Sequence, residues 1–169
     1  CCNKSCLKNI PKKDDLKPLR FQDGNWRLRH GVMRYMCLPG QLELKIQKIV
    51  EKCGCGAELW PDRDKYDVKI TLPDGQVWAI DAKTHRNPYM LKKSIEKDYV
   101  FTHTKAQKVF YVVPDDCLTD YPDYCKICND ALASRFPDSI AKCVSMRIFS
   151  KELKGEVEDV KLRNYQKKS

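Results

Sequence analysis

Two aspartates and a lysine stand close together in the segment YDVKITLPDGQVWAIDAK, residues 66–83, and their spacing limits what they can do. The segment reads as a β-hairpin. In Leu72-Pro73-Asp74-Gly75-Gln76, proline pre-sets φ at the first central position and glycine accepts the left-handed one, which suits a three-residue loop with a G1 bulge. That loop pairs Leu72 with Gln76. Counting back in twos puts Ile70 opposite Trp78, Val68 opposite Ile80 and Tyr66 opposite Ala82 on one face, with Lys69 opposite Ala79 and Asp67 opposite Asp81 on the other. Lys83 alternates onto the Asp81 face. Two carboxylates with Cβ atoms roughly 5 Å apart repel one another unless something positive sits between them. A divalent cation such as Mg²⁺, which takes oxygen ligands from one or two carboxylates, water and phosphate, resolves the repulsion. An ammonium at Lys83 can position or help deprotonate an attacking water and offset phosphate charge. The implied chemistry is metal-assisted hydrolysis of a phosphodiester; the competing reading is a solvated strand face that happens to carry Asp, Asp and Lys.

These residues need elements to hold them. Pro39-Gly40 opens a helix over Gln41–Lys52, in which Leu42, Ile46, Ile49 and Val50 recur at helical spacing and Leu44 lies off the stripe. Glu43 sits at the edge of that stripe, where it either points toward a site or serves as a surface glutamate. Gly54 and Gly56 end the helix, and a first strand follows over 57–60. After Lys83, Pro88 stops the strand, and 89–98 reads as a helix burying Leu91 and Ile95. The run KVFYVV, 108–113, is β-branched and aromatic, as a central strand requires. A helix over 124–135 and a strand over 143–149 are expected next, then a polar tail whose Lys161, Arg163, Lys167 and Lys168 reach toward a polyanion.

Asp67, a hairpin and then Asp81-Ala82-Lys83, preceded by a helix carrying Glu43, resembles the PD-(D/E)xK nuclease superfamily over residues 39–114. The literal Pro73-Asp74 falls at the turn tip, so the metal-binding aspartate is assigned to Asp67. More narrowly, RHGVMRYMCLPGQLELKI, ELWPDRDKYDVKITLPDGQVWAIDAK and VFYVVPDD resemble the restriction-endonuclease-like partner of prokaryotic PIWI-RE proteins, proposed defence systems against invading DNA. The resemblance implies an α/β fold, a restriction-endonuclease-like mixed β-sheet flanked by helices, with a basic, cysteine-containing N-terminal arm. It implies a Mg²⁺- or Mn²⁺-dependent DNA endonuclease with catalytic Asp67, Asp81, Lys83 and Glu43. Asp67, Asp81 and Glu43, with the carbonyl of Ala82, would ligate the metal. It also implies a larger defence-system partner. RNA or a hybrid is the alternative substrate, and a nuclease-like module that binds without cutting is the alternative role.

Length and charge agree with that expectation. At 169 residues and 42% hydrophobic, the chain supports one core. The expected division is a basic arm over 1–36, a nuclease core over 37–150 and a polar basic tail over 151–169. Residues 1–36 carry nine Lys or Arg against three Asp, a net of +6 within a whole-chain charge of +9. Such an arm draws a polyanion toward a site that is itself negative. Arg20, Arg27, Arg29 and Arg34, interleaved with Phe21, Trp26 and Tyr35, are candidate DNA contacts, as are Arg86 and Lys105; a solvated basic surface is the plainer alternative. No recognition-helix or zinc-finger signature points to sequence-specific readout. No apolar run approaches the roughly 18 residues of a membrane span and no signal peptide is read, so a cytoplasmic protein without membrane contact is expected. The sequence opens on Cys1-Cys2 rather than Met, so a longer protein is expected.

Ten cysteines in a reducing compartment suggest metal ligation or free, partly buried thiols rather than disulfides. Only Cys125-x2-Cys128 has the separation that grips one ion. Cys2 and Cys6 would complete a tetrahedral Zn²⁺ site with that pair. Related exonucleases are stapled by an iron-sulfur cluster, a layout that Cys37, Cys117, Cys125 and Cys128 could imitate. Those enzymes carry a glutamine-tyrosine motif after the DxK strand, and LKKSIEKDYV supplies Tyr99 without the glutamine.

Overall fold

The computed structural model describes residues 40–61, 65–102 and 104–166. Residues 42–169 form one compact unit, and residues 1–41 form another of which only Gly40 and Gln41 are described. The expected arm, with Arg20, Arg27, Arg29, Arg34, Cys2, Cys6 and Cys37, therefore lies outside the described residues.

The elements in chain order are α1 (Gln41–Lys52), β1 (Gly56–Leu59), β2 (Val68–Thr71), β3 (Val77–Ala82), α2 (Pro88–Lys97), β4 (Lys108–Val113), α3 (Cys117–Asp120), α4 (Tyr124–Arg135), β5 (Ala141–Ser145) and α5 (Met146–Gln166). The sheet runs β1-β2-β3-β4-β5. Its first three strands are antiparallel, whereas β3, β4 and β5 are parallel neighbours, each joined to the next through helices, as parallel pairing demands.

Two apolar clusters lie on opposite faces of the sheet. On one, Val68, Ile70, Trp78, Ile80, Phe110 and Val112 meet Leu42, Ile46 and Val50 of α1 and Phe149, Leu153, Val157 and Val160 of α5. On the other, Ala79, Val109, Tyr111 and Cys143 meet Leu91 and Ile95 of α2 and Tyr124, Cys128 and Leu132 of α4. β4 is thus covered on both sides, which is why KVFYVV shows no polar alternation.

Local chemistry sets the boundaries. α1 ends where Gly54 takes φ 80°, with Gly54 N–H donating to the Glu51 carbonyl and Cys55 N–H to that of Val50, a Schellman motif. The β2–β3 turn closes as expected: Leu72 N–H donates to the Gln76 carbonyl at 2.9 Å, Gly75 N–H to the Leu72 carbonyl at 3.0 Å, and Gly75 has φ 87°. α2 starts with Asn87 accepting from Tyr89 N–H at 2.9 Å and Pro88 in the first turn.

Two expectations need correction. The strand expected over 143–149 stops at Ser145, and the polar tail is a 21-residue helix, α5, beginning at Met146. Ser145 Oγ accepts from Ile148 N–H at 3.4 Å at the helix start. Phe149, Leu153, Val157 and Val160 recur every three or four residues and are buried, so 151–166 belongs to the packed core. Tyr66, expected beside Ala82 on the Trp78 face, packs instead in the opposite cluster. The regular ladder ends at Val68↔Ile80, and Asp67 N–H also donates to the Ile80 carbonyl, so an extra residue is inserted as in a β-bulge. That shift turns Tyr66 over.

Candidate active site

The hairpin register is as expected from Val68↔Ile80 through Lys69↔Ala79 to Ile70↔Trp78. Asp81 follows Ile80 on β3 and points toward the Ala79 face, where it is only 3% exposed. Asp67 is fixed at three points. Its N–H donates to the Ile80 carbonyl at 3.0 Å, its carbonyl accepts from Trp60 N–H at 2.8 Å, and its Oδ2 accepts from Ala82 N–H at 2.7 Å. Trp60 adopts φ 51°, a left-handed conformation uncommon for a bulky residue, at the point where it makes this link. The bulge therefore aims the Asp67 carboxylate across the end of β3.

Lys83 lies one residue past β3, yet its N–H donates to the Val112 carbonyl at 2.9 Å and prolongs the parallel ladder. Its Nζ reaches 2.7 Å from Asp81 Oδ2. That buried oxygen has no hydrogen-bond partner of good geometry, so the ion pair alone compensates it. Burial pushes the Asp81 carboxyl up to about 7; Lys83 pulls it down, and Asp67 raises it again through its charge and a shared hydrogen bond. The Asp67 carboxylate, bonded to the N–H of Ala82, lies next to Asp81 along β3 and close enough to raise it. On β4, Tyr111 is the direct neighbour of Asp81, and burial, then the Asp81 charge, holds its phenol far above the usual range and thus neutral. The β3–β4 pairing that places Tyr111 there arises from tertiary structure, which the hairpin pattern does not contain.

Glu43 is half-buried on α1, whose apolar stripe covers the Trp78 face. Among the described residues no group of three or more His, Cys, Asp or Glu side chains is arranged to hold a metal. Asp67 and Asp81 meet as a pair that Glu43 does not join. Arg86, largely exposed, leans toward α3, 3.5 Å from Asp116 Oδ2 and 3.7 Å from Asp120 Oδ2. His85 contributes its carbonyl to the Tyr124 hydroxyl at 2.5 Å. Gln107 Oε1 accepts from Val77 N–H at 2.6 Å, a fastening of β3 to the approach of β4. Cys125 and Cys128 share the first turns of α4.

Lys105 helps line a cavity of about 730 Å³ together with Lys65, Tyr66, Lys69, Tyr99 and Thr104. The cavity does not contain Asp67 or Asp81. It opens beside them, since Lys65 and Tyr66 directly precede Asp67 and Lys69 follows two residues after it. Lys69 is tied to its cross-strand neighbour Glu58 at 3.2 Å. The arrangement is thus a buried Asp81 with a half-buried Asp67 beside it, one lysine in contact with Asp81 and a lysine-lined hollow alongside.

A divalent cation fits this donor set. Asp81 Oδ2 is a buried oxygen without a hydrogen bond, and its partner acid is already drawn close. Added positive charge would relieve both burial and repulsion. Among the described residues no helix is long and apolar enough to cross a membrane.

A family model described as "REase associating with pPIWI_RE" matches residues 40–160, which include every element from α1 through most of α5. No curated protein and no solved structure gives a significant match.

Proposed function

The chain belongs to the family of REases associating with pPIWI_RE, and on that premise we propose that it is a Mg²⁺- or Mn²⁺-dependent endonuclease hydrolysing phosphodiester bonds in DNA. The observation that carries this reading is the Asp67 carboxylate held on the N–H of Ala82, next to Asp81, with Lys83 Nζ 2.7 Å from Asp81. A structural strand gains nothing from a second acid aimed at a buried one. A site that must receive positive charge does.

Asp67 and Asp81 would hold the cation, with the Ala82 carbonyl beside them; Glu43 stays outside the proposed set. When bound, such a cation polarises a phosphoryl oxygen and lowers the pKa of attached water. The chain's own residues do the rest. The Ala82 N–H and the Trp60 and Ile80 backbone bonds keep the Asp67 carboxylate aimed, so little ordering is needed when substrate arrives. Lys83 orients the water and offsets charge that develops on the phosphoryl group. Tyr111, held neutral, adds no further negative charge beside Asp81. Lys65 and Lys105 supply a track for the DNA backbone next to the acids.

The family's printed association supports a larger pPIWI_RE partner for this chain and a role in defence against invading DNA. The test is incubation of plasmid and single-stranded DNA with Mg²⁺ or Mn²⁺, with and without that partner, comparing the parent with Asp81→Asn and Lys83→Met. Cleavage by the parent and its loss in both variants is the expected result. Equal cleavage by parent and variants, or none by the parent in either setting, would overturn the reading.

A further inference from the structure

The hollow beside Asp67 has a neighbour. It shares Tyr99, Thr102 and Thr104 with a second cavity of about 480 Å³, which Phe101, Phe136 and Ile140 also line. Tyr66 and Ala106 of the first and Phe101 and Val109 of the second belong to the apolar cluster on the face toward which Asp81 points. The two cavities and the acids therefore lie on one side of the sheet.

Their chemistry differs. In the first, Lys65 and Lys105 outnumber Asp98 even with Lys69 committed to Glu58 at 3.2 Å. In the second, Arg135 is balanced by Asp138, and rings and aliphatic side chains make up much of the rest. A series of ring contacts joins the two: Tyr66 to Phe101 at 6.4 Å between centroids, Phe101 to Tyr99 at 5.9 Å, and Tyr99 stacked on Phe136 at 4.6 Å. Tyr99 is held on both sides of its ring system, since its hydroxyl shares a hydrogen bond with Ser139 and its carbonyl accepts from Thr102 Oγ1 at 2.8 Å. Tyr99 and Phe136 are nevertheless only half-buried, and Ile140 is 55% exposed. Rigid aromatic and aliphatic surface is thus kept open to water one step beyond a lysine-lined hollow.

We propose that the two cavities form a track for single-stranded DNA, in which the lysine-lined hollow takes phosphates next to the acids and the second cavity takes a base against Tyr99 and Phe136. The inference rests on the endonuclease reading and names the form of its substrate. A single strand alternates phosphates with bases whose faces are free, which matches positive charge in one compartment and rings in the next. A duplex offers mainly phosphates, because its base faces are already stacked on one another. The charge-balanced second cavity has little to attract it.

Fluorescence anisotropy of the full chain in chelator, where no metal-dependent hydrolysis occurs, reads binding apart from the reaction. A labelled thymine homopolymer should bind at least about tenfold more tightly than a labelled duplex of equal length at the same salt, the weight of roughly one stacked base. Phe136→Leu keeps an apolar side chain without the ring, and Ile140→Ser changes an exposed position. Each should weaken strand binding by about fivefold or more and leave duplex binding within about twofold. Equal or tighter binding of the duplex would overturn the track, as would a strand affinity unchanged in Ile140→Ser or in a folded Phe136→Leu, whether or not DNA is cut. A strand preference that both variants lose, in a parent that cuts nothing with Mg²⁺ or Mn²⁺, would support the track and refute the reaction instead.

Discussion

Replacing Asp81 with Asn removes the titration of the acid on which the site depends, and its effect on stability can be worked out. Asp81 ionises at an ordinary 3.8 in an unfolded chain and at about 7 when folded, with burial the largest cause, opposed by Lys83 and reinforced by Asp67. The folded state therefore keeps a proton that the unfolded chain has already lost between about pH 4 and about pH 7, and stability falls as pH rises through that window. At about 1.4 kcal/mol for each pKa unit, the fall attributable to Asp81 is about 4 kcal/mol. Asp81→Asn cannot titrate. Urea unfolding of parent and variant in chelator, followed across this range, should show the variant gaining about 4 kcal/mol relative to the parent from the acid to the neutral end, while titrating groups remote from Asp81 cancel. A difference that stays constant with pH would mean that Asp81 ionises as a free carboxylate, and the burial of Asp81 beside Asp67 would be wrong. Cleavage should move the opposite way, being lost in the stabilised variant.

Three further outcomes follow from other parts of the molecule. Lys83→Met removes the ammonium that pulls the Asp81 carboxyl down, so in the same titration the loss of stability should extend to higher pH than in the parent. Lys65→Ala with Lys105→Ala should weaken DNA binding and reduce the slope of log affinity against log salt by about 2, read by fluorescence anisotropy; an unchanged slope would remove the cavity from the DNA track. Leu153→Ala should destabilise by about 2 to 5 kcal/mol in urea unfolding, since Leu153 is fully buried; a near-zero loss would return residues 151–166 to a tail.

The hairpin was legible because two independent signals agree there. Pro73 and Gly75 fix the turn, and strict alternation fixes the faces, so every pair from Leu72–Gln76 to Val68–Ile80 follows. The Gln41 and Tyr124 helices and the 108–113 strand were likewise visible from period and composition. The bulge at Asp67 was not. It depends on Trp60 meeting the Asp67 carbonyl and on the Asp67 side chain capping Ala82 N–H, contacts that no local pattern encodes. α5 was missed for a different reason. Only one apolar residue per turn, among many Lys and Glu, marks its buried stripe, yet the spacing of Phe149, Leu153, Val157 and Val160 was a readable helical signal.

The position of α5 after the sheet also governs when the Trp78 face of the sheet is covered during synthesis. Trp78, Ile80 and Phe110 are translated long before Phe149, Leu153, Val157 and Val160, the side chains that cover them. A ribosome that has just delivered β5 has already made Asp67, Asp81 and Lys83, yet the sheet behind them still shows an oily face to water. Such an intermediate is prone to self-association. A chain truncated near residue 150 would carry the complete acid pair in its sequence and should still accumulate as aggregate. The nascent polypeptide thus holds its reactive hairpin in an unfinished fold until the closing helix docks, and whatever the acids can do is withheld until then.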